Sequence, residues 1–329
     1  MSLVPSPSRL AEAYAVTRMA TRRTPLLESE ALAQAMGAAR VFVKAENLQR
    51  AGSFKLRGAY WRLSVLDGAA RAKGVVAYSS GNFAQGLAAA GRDLGVPVTI
   101  VMPVDAPEVK RRATEGFGAR VVLSHHGDRP REEVASALAQ RLAAEEGLTL
   151  LHPFDDPEIV AGQAGAALEA LEQMEGLLPD VVLCPVGGGG LMGGVALALR
   201  AASPSVRLIG VEPQGYDGMG ESLRRGERVR VSGGATICDA LQATMPGEAT
   251  FAACRAAGVD GLAVGDAEAL AGMRAGFEAL KLVLEPSGAL ALGAALSGRV
   301  PLAGATVLIF ATGGNIPFDR FAAHLQRDT

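Results

Sequence analysis

Short apolar runs rich in β-branched residues alternate along the chain with longer stretches whose apolar residues recur at helical spacing. The short runs predict strands at 41–44, 74–78, 98–102, 120–123, 180–184, 208–211 and 306–310. The longer stretches predict helices at 54–66, 84–94, 132–146, 157–174, 191–201, 267–280 and 287–296. Alternation of this kind is typical of an α/β fold with mostly parallel sheets, because crossover helices bury both faces of each strand.

Composition narrows the class of protein. The 329 residues suffice for about two domains. Hydrophobic residues make up 49% and charged residues 20%, which is typical of a folded globular protein. The formal net charge of -2 gives no reason to expect a nucleic acid or an anionic membrane as partner. The three cysteines, Cys184, Cys238 and Cys254, lack the spacing of a disulfide framework or a zinc site.

One uncharged stretch, residues 181–199, is long enough to cross a bilayer. It contains Pro185 and six glycines, so a buried strand, a glycine loop and a helix of small residues explain it better. The first ten residues, MSLVPSPSRL, have no apolar core of a secretory signal. We therefore expect a cytoplasmic protein without a membrane span.

Two loops that follow predicted strands are suited to binding anions, because ligands of α/β proteins bind at the carboxyl ends of strands. Residues 79–86 (SSGNFAQG) offer hydroxyls and amides at a helix start, although an ordinary capped turn has the same residues. Residues 187–190 are four successive glycines, which let backbone amides surround a phosphate. Gly188, Gly190 and Gly193, with Glu212 further on, also fit a dinucleotide-binding fingerprint, so an NAD-dependent oxidoreductase is an alternative.

Lys55 lies at a predicted helix start, after Gly52 and Ser53. The positive end of the helix dipole disfavours the charged form of an amine there, and an uncharged lysine is the form that attacks carbonyl groups. The alternative is an ordinary solvated lysine. The segments 285–288 (EPSG) and 312–315 (TGGN) each place a polar side chain beside glycines, a pattern that is also typical of turns.

Taken together and in order, the motifs KAENLQRAGSFKLRGAY, SSGNFAQG, HPFDDPEIVAGQ, PVGGGGLMGG, GVEP, EPSGA and TGGN resemble the fold-type II pyridoxal-phosphate enzymes. The resemblance runs from Thr24 to Asn315 and is specifically to the serine/threonine dehydratase and serine racemase family. It implies an α/β fold of two open, twisted, mostly parallel sheets flanked by helices. Residues 1–73 and 151–329 would form a large domain that binds pyridoxal 5'-phosphate, with a small domain, 74–150, inserted in it. It also suggests a homodimer acting on a small amino acid.

The resemblance assigns roles position by position. Lys55 would hold the cofactor covalently and remove the Cα proton, and Ser80 matches the second acid/base of racemases. The residues that would contact the cofactor are Phe54, Lys55, Asn82, Gly187, Gly188, Gly189, Gly190, Leu191, Glu285 and Thr312. Those that would receive the substrate are Ser79, Ser80, Asn82 and the amide of Phe83. No metal ligand is assigned.

These roles imply β-elimination of L-threonine or L-serine to a 2-oxo acid and ammonia. Racemisation of serine is the nearest alternative, and a cofactor-binding protein without turnover is another. Three positions bear on this expectation. Phe83 replaces the usual histidine, and its ring either faces the substrate or packs into the helix. Gly218 replaces the second acidic residue that, after GVEP, helps many members bind a divalent cation near Glu212 and Asp217. Arg131 matches an arginine near the substrate entrance of racemases or is simply solvated.

Overall fold

The computed structural model describes residues 2–129 and 131–326, which form an α/β structure with two sheets. Its strands are β1 (Leu26–Glu28), β2 (Arg40–Ala45), β3 (Val75–Tyr78), β4 (Val98–Pro103), β5 (Arg120–Ser124), β6 (Thr149–Leu150), β7 (Val181–Pro185), β8 (Arg207–Pro213), β9 (Val259–Val264) and β10 (Thr306–Ala311).

Helices connect the strands and cover both sheets. They are α1 (Pro7–Thr17), α2 (Glu30–Met36), α3 (Lys55–Ser64), α4 (Gly68–Lys73), α5 (Asn82–Leu94), α6 (Glu108–Gly116), α7 (Arg131–Glu146), α8 (Pro157–Gln163), α9 (Gly165–Gln173), α10 (Gly190–Ala202), α11 (Gly218–Arg225), α12 (Glu248–Ala257), α13 (Asp266–Leu280), α14 (Pro286–Leu296) and α15 (Phe318–Leu325).

The larger sheet has six strands in the order β1-β2-β10-β7-β8-β9. All neighbours are parallel except β1, which runs antiparallel to β2 at the edge. The central strands β7 and β10 are almost wholly buried and carry continuous apolar runs. This is the expected pattern for parallel strands with helices on both faces.

The smaller sheet has four parallel strands in the order β5-β4-β3-β6, all between Val75 and Leu150. The loops that carry the sequence motifs follow the carboxyl ends of β2, β7 and β10 in the larger sheet and of β3 in the smaller one. Parallel strands bring such loops to one edge. The fold therefore collects motifs that are up to about 260 residues apart, such as 53 and 313, whose backbones pair in an isolated bridge.

The predicted fold class is confirmed. All seven predicted strands and all seven predicted helices are present, with ends within two residues, except that the helix predicted at 157–174 is divided into α8 and α9. The division lies where Gly194 of α10 approaches the backbone of Val160 and Ala164. The stretch 181–199 forms β7, the glycine loop and most of α10. In the described ranges we find no helix long and apolar enough to cross a membrane. The two-domain division stays a prediction.

Candidate active site

Lys55 is the first residue of α3, so its predicted place at a helix start is confirmed. Its side chain is half-buried, and Nζ donates a hydrogen bond to the carbonyl oxygen of Pro153 at 3.0 Å. Nζ also lies 5.2 Å from the ring centroid of Phe54 and 5.7 Å from that of Phe83. Burial lowers the pKa of Lys55 to about 8, so about a tenth of the amine is unprotonated at pH 7 and about half at pH 8.

The segment that carries Lys55 is tied to the loop after β10. The backbone N–H of Phe54 donates to the carbonyl of Thr312 at 3.3 Å, and Ser53 pairs with Gly313. Thr312 is buried and its own N–H donates to Gly288 at the start of α14. The GSFK, EPSG and TGGN motifs therefore form one continuous wall.

Asn82, the first residue of α5, faces the same wall. Its Nδ2 donates to Glu285 Oε1 at 2.6 Å, and its Oδ1 accepts from Asn315 Nδ2 at 2.8 Å. Burial raises the pKa of Glu285 to about 7, with the charge of Asp239 adding to the rise and the bond from Asn82 opposing it. The structure thus brings together three predicted cofactor-contacting positions: Asn82, Glu285 and Thr312.

The turn between β3 and α5 contains Ser79, Ser80 and Gly81, all half-buried. Ser79 Oγ accepts from the backbone N–H of Gly81 at 3.2 Å. The first-turn amides of α5 have no intrahelical acceptors, as at any helix start. Phe83 is 2% exposed, and its ring belongs to a core cluster with Leu56 and Leu87, which is the packing placement of the two that the sequence left open.

The glycine loop connects β7 to α10. Gly189 has φ +95°, a left-handed conformation that favours glycine. Gly188 lies flat against the ring of Phe154: a Cβ built on it would be 2.3 Å from three ring carbons. Gly190 begins α10, and Leu191 behind it is buried in the core. Glycine is required at 188 and 189 by the close approach of neighbouring side chains and by backbone conformation.

Sequence reasoning assigned no role to the turn that follows β6, yet it contacts several parts of the site. Its residues are His152, Pro153, Phe154 and Asp155. Besides accepting from Lys55 and covering Gly188, this turn binds the start of α12, where the N–H of Ala249 donates to Asp155 Oδ1 at 2.9 Å. The sequence signal that could have pointed to this turn is the HPFDDP motif, which belongs to the family resemblance but suggested no role for these residues.

Behind α3 lies a buried ionic network. The guanidinium of Arg57 donates to both oxygens of Glu46 at 2.8 Å and to Glu169 Oε1 at 2.8 Å. Lys44 Nζ donates to Glu169 Oε1 at 2.6 Å. These four side chains are at most 2% exposed. Breaking such a pair by removing one partner leaves a buried charge and costs about 3–5 kcal/mol, so the network fixes the first turn of the helix that carries Lys55.

Two of the ion pairs outside this network involve basic residues that could bear on the site. Lys110 of α6, a helix beside the smaller sheet, pairs with Asp239 at 2.9 Å. This pair joins α6 to the segment before α12. Arg131, at the start of α7, pairs with Asp105 at 3.1 Å, and both side chains are about half exposed. Only the first of these pairs approaches Glu285 closely enough to affect its pKa.

The residues near Glu212 do not fit a divalent cation. Glu212 is buried, and its two oxygens accept the backbone N–H groups of Met219 and Gly220, each at 2.8 Å. Gly218 supplies no ligand where a second carboxylate would be needed. Within residues 2–129 and 131–326, no three or more His, Cys, Asp or Glu side chains are grouped to hold a metal. Glu212 instead fixes the first turn of α11 to the end of β8.

The residues present do fit a cofactor with a carbonyl and a phosphate. A half-buried lysine without a charged partner among the causes of its lowered pKa supplies an amine that is free to react. The glycine loop at the start of α10 supplies backbone amides and the positive end of a helix dipole to a phosphate.

Comparison with known proteins agrees with this chemistry. The family model "pyridoxal-phosphate dependent enzyme" matches residues 17–313. The chain is 44% identical over 305 residues to an L-threo-3-hydroxyaspartate ammonia-lyase of Pseudomonas sp, covering 92% of this chain and 93% of that protein. It is 42% identical over 301 residues to the Saccharomyces cerevisiae protein of the same name, covering 91% and 90%.

Solved structures give the same result. The T.th. threonine deaminase superposes with a TM-score of 0.87 at 40% identity, covering 95% of this chain and 99% of that one. Maize serine racemase superposes with a TM-score of 0.89 at 33% identity, covering 96% and 95%. These matches show a pyridoxal-phosphate enzyme rather than the NAD-dependent oxidoreductase that the glycine fingerprint also allowed, and the phosphate-binding role of the glycine loop stays a prediction. The chain belongs to the pyridoxal-phosphate dependent enzymes of fold type II, and its cofactor is pyridoxal 5'-phosphate.

Proposed function

We propose that the protein is an ammonia-lyase that removes water from a β-hydroxy amino acid and releases a 2-oxo acid and ammonia. The observation that carries the proposal is the Lys55 amine. It is half-buried, has a pKa lowered to about 8, lies 5.2 Å from the Phe54 ring centroid, and donates to Pro153, the neighbour of the Phe154 that packs on the glycine loop. An amine that can lose its proton near neutral pH serves both to bind a carbonyl cofactor and to act as a base.

In this proposal the cofactor is held by residues of both sheets. Lys55 would bind it covalently, and Phe54 would pack against it. The phosphate is received by backbone amides of Gly187, Gly188, Gly189, Gly190 and Leu191. Asn82, Glu285 and Thr312 would contact the cofactor from the other side, Asn82 at its phenolic oxygen and Thr312 at its pyridine nitrogen. A neutral hydroxyl at that nitrogen does not force its protonation, which suits an elimination that follows soon after deprotonation.

The substrate carboxylate is received by Ser79 and Asn82 and by the amide of Phe83 at the start of α5, where the helix dipole favours an anion. Once the substrate amino group has replaced the Lys55 amine on the cofactor, the freed amine would take the Cα proton; pyridoxal 5'-phosphate supplies the electron withdrawal that makes this proton acidic. The Cβ–O bond would then break, and the leaving hydroxide would combine with the proton taken from Cα to form water. The resulting enamine takes up water and yields the 2-oxo acid and ammonia, so atoms and charges balance.

For the substrate we propose L-threo-3-hydroxyaspartate rather than the L-threonine or L-serine that the sequence suggested. The relatives with that name are 44% and 42% identical to this chain, against 40% for the threonine deaminase. A second carboxylate needs a cation near the cleft. Lys110 is the better placed of the two candidates, because its side chain is 19% exposed against 48% for Arg131, and it lies close enough to influence Glu285.

The deciding experiment compares 2-oxo acid release from L-threo-3-hydroxyaspartate, L-threonine and L-serine by the purified holoenzyme. We expect the highest kcat/KM for the dicarboxylic substrate. Lys110→Met should raise KM for that substrate and leave kcat/KM for threonine within a factor of about two. A higher kcat/KM for threonine than for hydroxyaspartate would return the assignment to threonine dehydratase.

Lys55 is tested separately. Borohydride should fix the cofactor to Lys55 in the wild type, and peptide mapping should find no fixed cofactor in Lys55→Ala. Lys73→Ala, at an exposed lysine in α4, is the matched control and should behave as wild type. Fixation at another lysine would refute the assignment.

Racemisation of serine is the second candidate, and it has a specific observation in its favour. Maize serine racemase is among the structural matches, and the sequence resemblance assigns Ser80 to the position of the second acid/base of racemases. Chiral analysis of the serine left after partial reaction distinguishes the two activities, because elimination alone leaves only the L-isomer.

We further propose that residues 74–150 form a small domain and that two chains associate. The first is supported by the four-stranded sheet, whose strands all fall in that range. The second is supported by exposed apolar side chains of α13 to α15: Phe318 (85% exposed), Phe277 (46%) and Val283 (45%). Light scattering should give the mass of a dimer, and Phe318→Glu should shift it toward a monomer. Cytoplasmic location also stays a proposal, supported by three free, buried cysteines.

A further inference from the structure

The turn at residues 152–155 lies where the chain leaves β6 of the smaller sheet and enters α8. Its contacts converge on the proposed catalytic groups. The carbonyl of Pro153 accepts from Lys55 Nζ at 3.0 Å, and the next residue, Phe154, covers Gly188 of the glycine loop. The orientation of this short turn therefore determines where two parts of the site lie.

His152 holds the turn together. Its Nδ1 accepts the backbone N–H of Asp155 at 2.9 Å and, less closely, that of Phe154 at 3.4 Å. A ring nitrogen that accepts from amides carries no proton, so the proton of the neutral imidazole is on Nε2. Nε2 faces the hydroxyl of Tyr78 at 3.4 Å, and the imidazole meets the ring of Phe154 edge-on with centroids 4.5 Å apart.

We propose that His152 is a positioning residue for Lys55. By holding the turn through Nδ1, the neutral imidazole presents the Pro153 carbonyl to the lysine amine. An unprotonated amine has two N–H bonds and one lone pair. When one N–H is donated to a fixed carbonyl, the amine loses rotational freedom and its lone pair is directed away from Pro153. The inference rests on the proposed function in one respect: Lys55 is the group that takes the Cα proton of the substrate.

The charged groups around His152 make this arrangement sensitive to pH. Burial lowers the pKa of His152, the carboxylates of Asp155 and Asp156 in its own turn oppose that effect, and Lys55 of α3 adds to it. On the other side lies Tyr78 of β3, whose pKa is raised by burial and by the carboxylate of Glu132 in α7, so its hydroxyl is neutral. A proton added to Nδ1 would face the backbone N–H groups of Phe154 and Asp155, so both hydrogen bonds to Nδ1 would be lost. Protonation at acid pH should therefore release the turn and misplace the Lys55 amine.

Two substitutions separate a positioning role from simple packing. His152→Asn keeps an acceptor oxygen near the position of Nδ1 and cannot titrate, whereas His152→Leu keeps volume but has no acceptor. We expect the Leu variant to lose roughly 10–100-fold in kcat, the scale expected when a reacting group is misplaced by about 1 Å. The Asn variant should retain kcat within about fivefold and should lose the part of the acid limb of the kcat profile that is due to His152. Tyr78→Phe, which alters only the Nε2 side, is the control and should keep that limb.

A second measurement does not depend on turnover. ¹⁵N NMR of the holoenzyme with labelled histidine should show an Nε2–H tautomer for His152, identified by its loss in His152→Asn. An Nδ1–H tautomer, an Asn variant as slow as the Leu variant, or an unchanged acid limb in the Asn variant would each overturn the proposal. If no amino acid is turned over but the tautomer is as expected, the proposed function fails and the positioning geometry stands.

Discussion

The contact between Gly188 and Phe154 gives a quantitative prediction about cofactor binding. A Cβ on Gly188 would lie 2.3 Å from three carbons of the Phe154 ring. Carbon atoms in proteins pack at about 3.5–4.0 Å, so Gly188→Ala must separate loop and ring by about 1.2–1.7 Å. Overpacking of this size costs about 1–3 kcal/mol.

The cost should appear mainly in the affinity for pyridoxal 5'-phosphate. The apo-protein can relieve the clash by moving the loop, but the bound form requires the loop amides in place. If the whole cost falls on the bound form, the dissociation constant rises by roughly 5–150-fold, since each 1.4 kcal/mol is a factor of ten. The assay is titration of the apo-protein with cofactor, followed by the visible absorption band, together with Tm of the apo-protein.

Two further variants test the cause. Phe154→Leu removes the ring, so the Gly188→Ala/Phe154→Leu double variant should regain most of the affinity lost by Gly188→Ala alone, measured against Phe154→Leu as its own reference. Gly116→Ala is the matched control, because a Cβ there meets nothing within 4 Å. If Gly188→Ala binds cofactor like the wild type, or if the ring deletion gives no recovery, the steric argument is refuted.

Four other predictions follow from the site. Lys55→Met should raise Tm of the apo-protein at pH 7, and this gain in Tm should shrink between pH 8 and 10.5. In that window the folded wild type binds fewer protons at Lys55 than the unfolded chain does, so the wild type becomes more stable as pH rises. Treatment with EDTA should leave activity and Tm unchanged, since both Glu212 oxygens already accept N–H groups; activation by Mg²⁺ would contradict this. Ser80→Ala should keep most elimination and abolish any formation of D-serine, and equal loss of both would make Ser80 a substrate-binding residue. Phe83→His should lower Tm, because the Phe83 ring is packed in the core. It should change the threonine-to-serine ratio of kcat/KM by less than about fourfold, the ratio that one lost methyl contact of about 0.8 kcal/mol would produce; a larger change would place the ring in the substrate pocket.

The sequence pattern predicted strands well where both faces of the strand are buried, and poorly at the edges of the sheets. The central strands β7 and β10 are apolar throughout and were predicted within a residue. The strands that were missed, β1, β6 and β9, each lie at the edge of a sheet. An edge strand has one exposed side and needs no continuous apolar run, and β9 contains Asp260 and Gly261 at exposed positions. The pairing of β9 depends on its neighbour β8, which is distant in sequence, and a local sequence pattern does not reveal such a partner.

The same distinction applies to the site. Motifs that carry their own chemistry, such as Lys55 at a helix start and the four glycines, could be recognised locally. Contacts between motifs could not: Asn82 meets Glu285, which is 203 residues away, and Lys55 meets Pro153. The sequence attributed the need for glycine at 188 to a bound phosphate and to backbone conformation, whereas the structure also places a phenyl ring there. Such pairings depend on how the two sheets pack, and one chain without its fold contains no signal for them.

The first turn of α3 shows how the fold keeps a reactive amine both anchored and uncharged. Residues two positions apart on a helix project about 200° from each other, so Lys55 faces the site while Arg57 faces the core. Behind it, Arg57 and Lys44 are matched by Glu46 and Glu169, two cations against two carboxylates. Because these charges balance, the network can fix the helix start without a large net field at Lys55. The pKa of Lys55 agrees with this, since burial is the only cause of its decrease. A network with one unmatched charge would anchor α3 equally well but would shift the protonation of the amine.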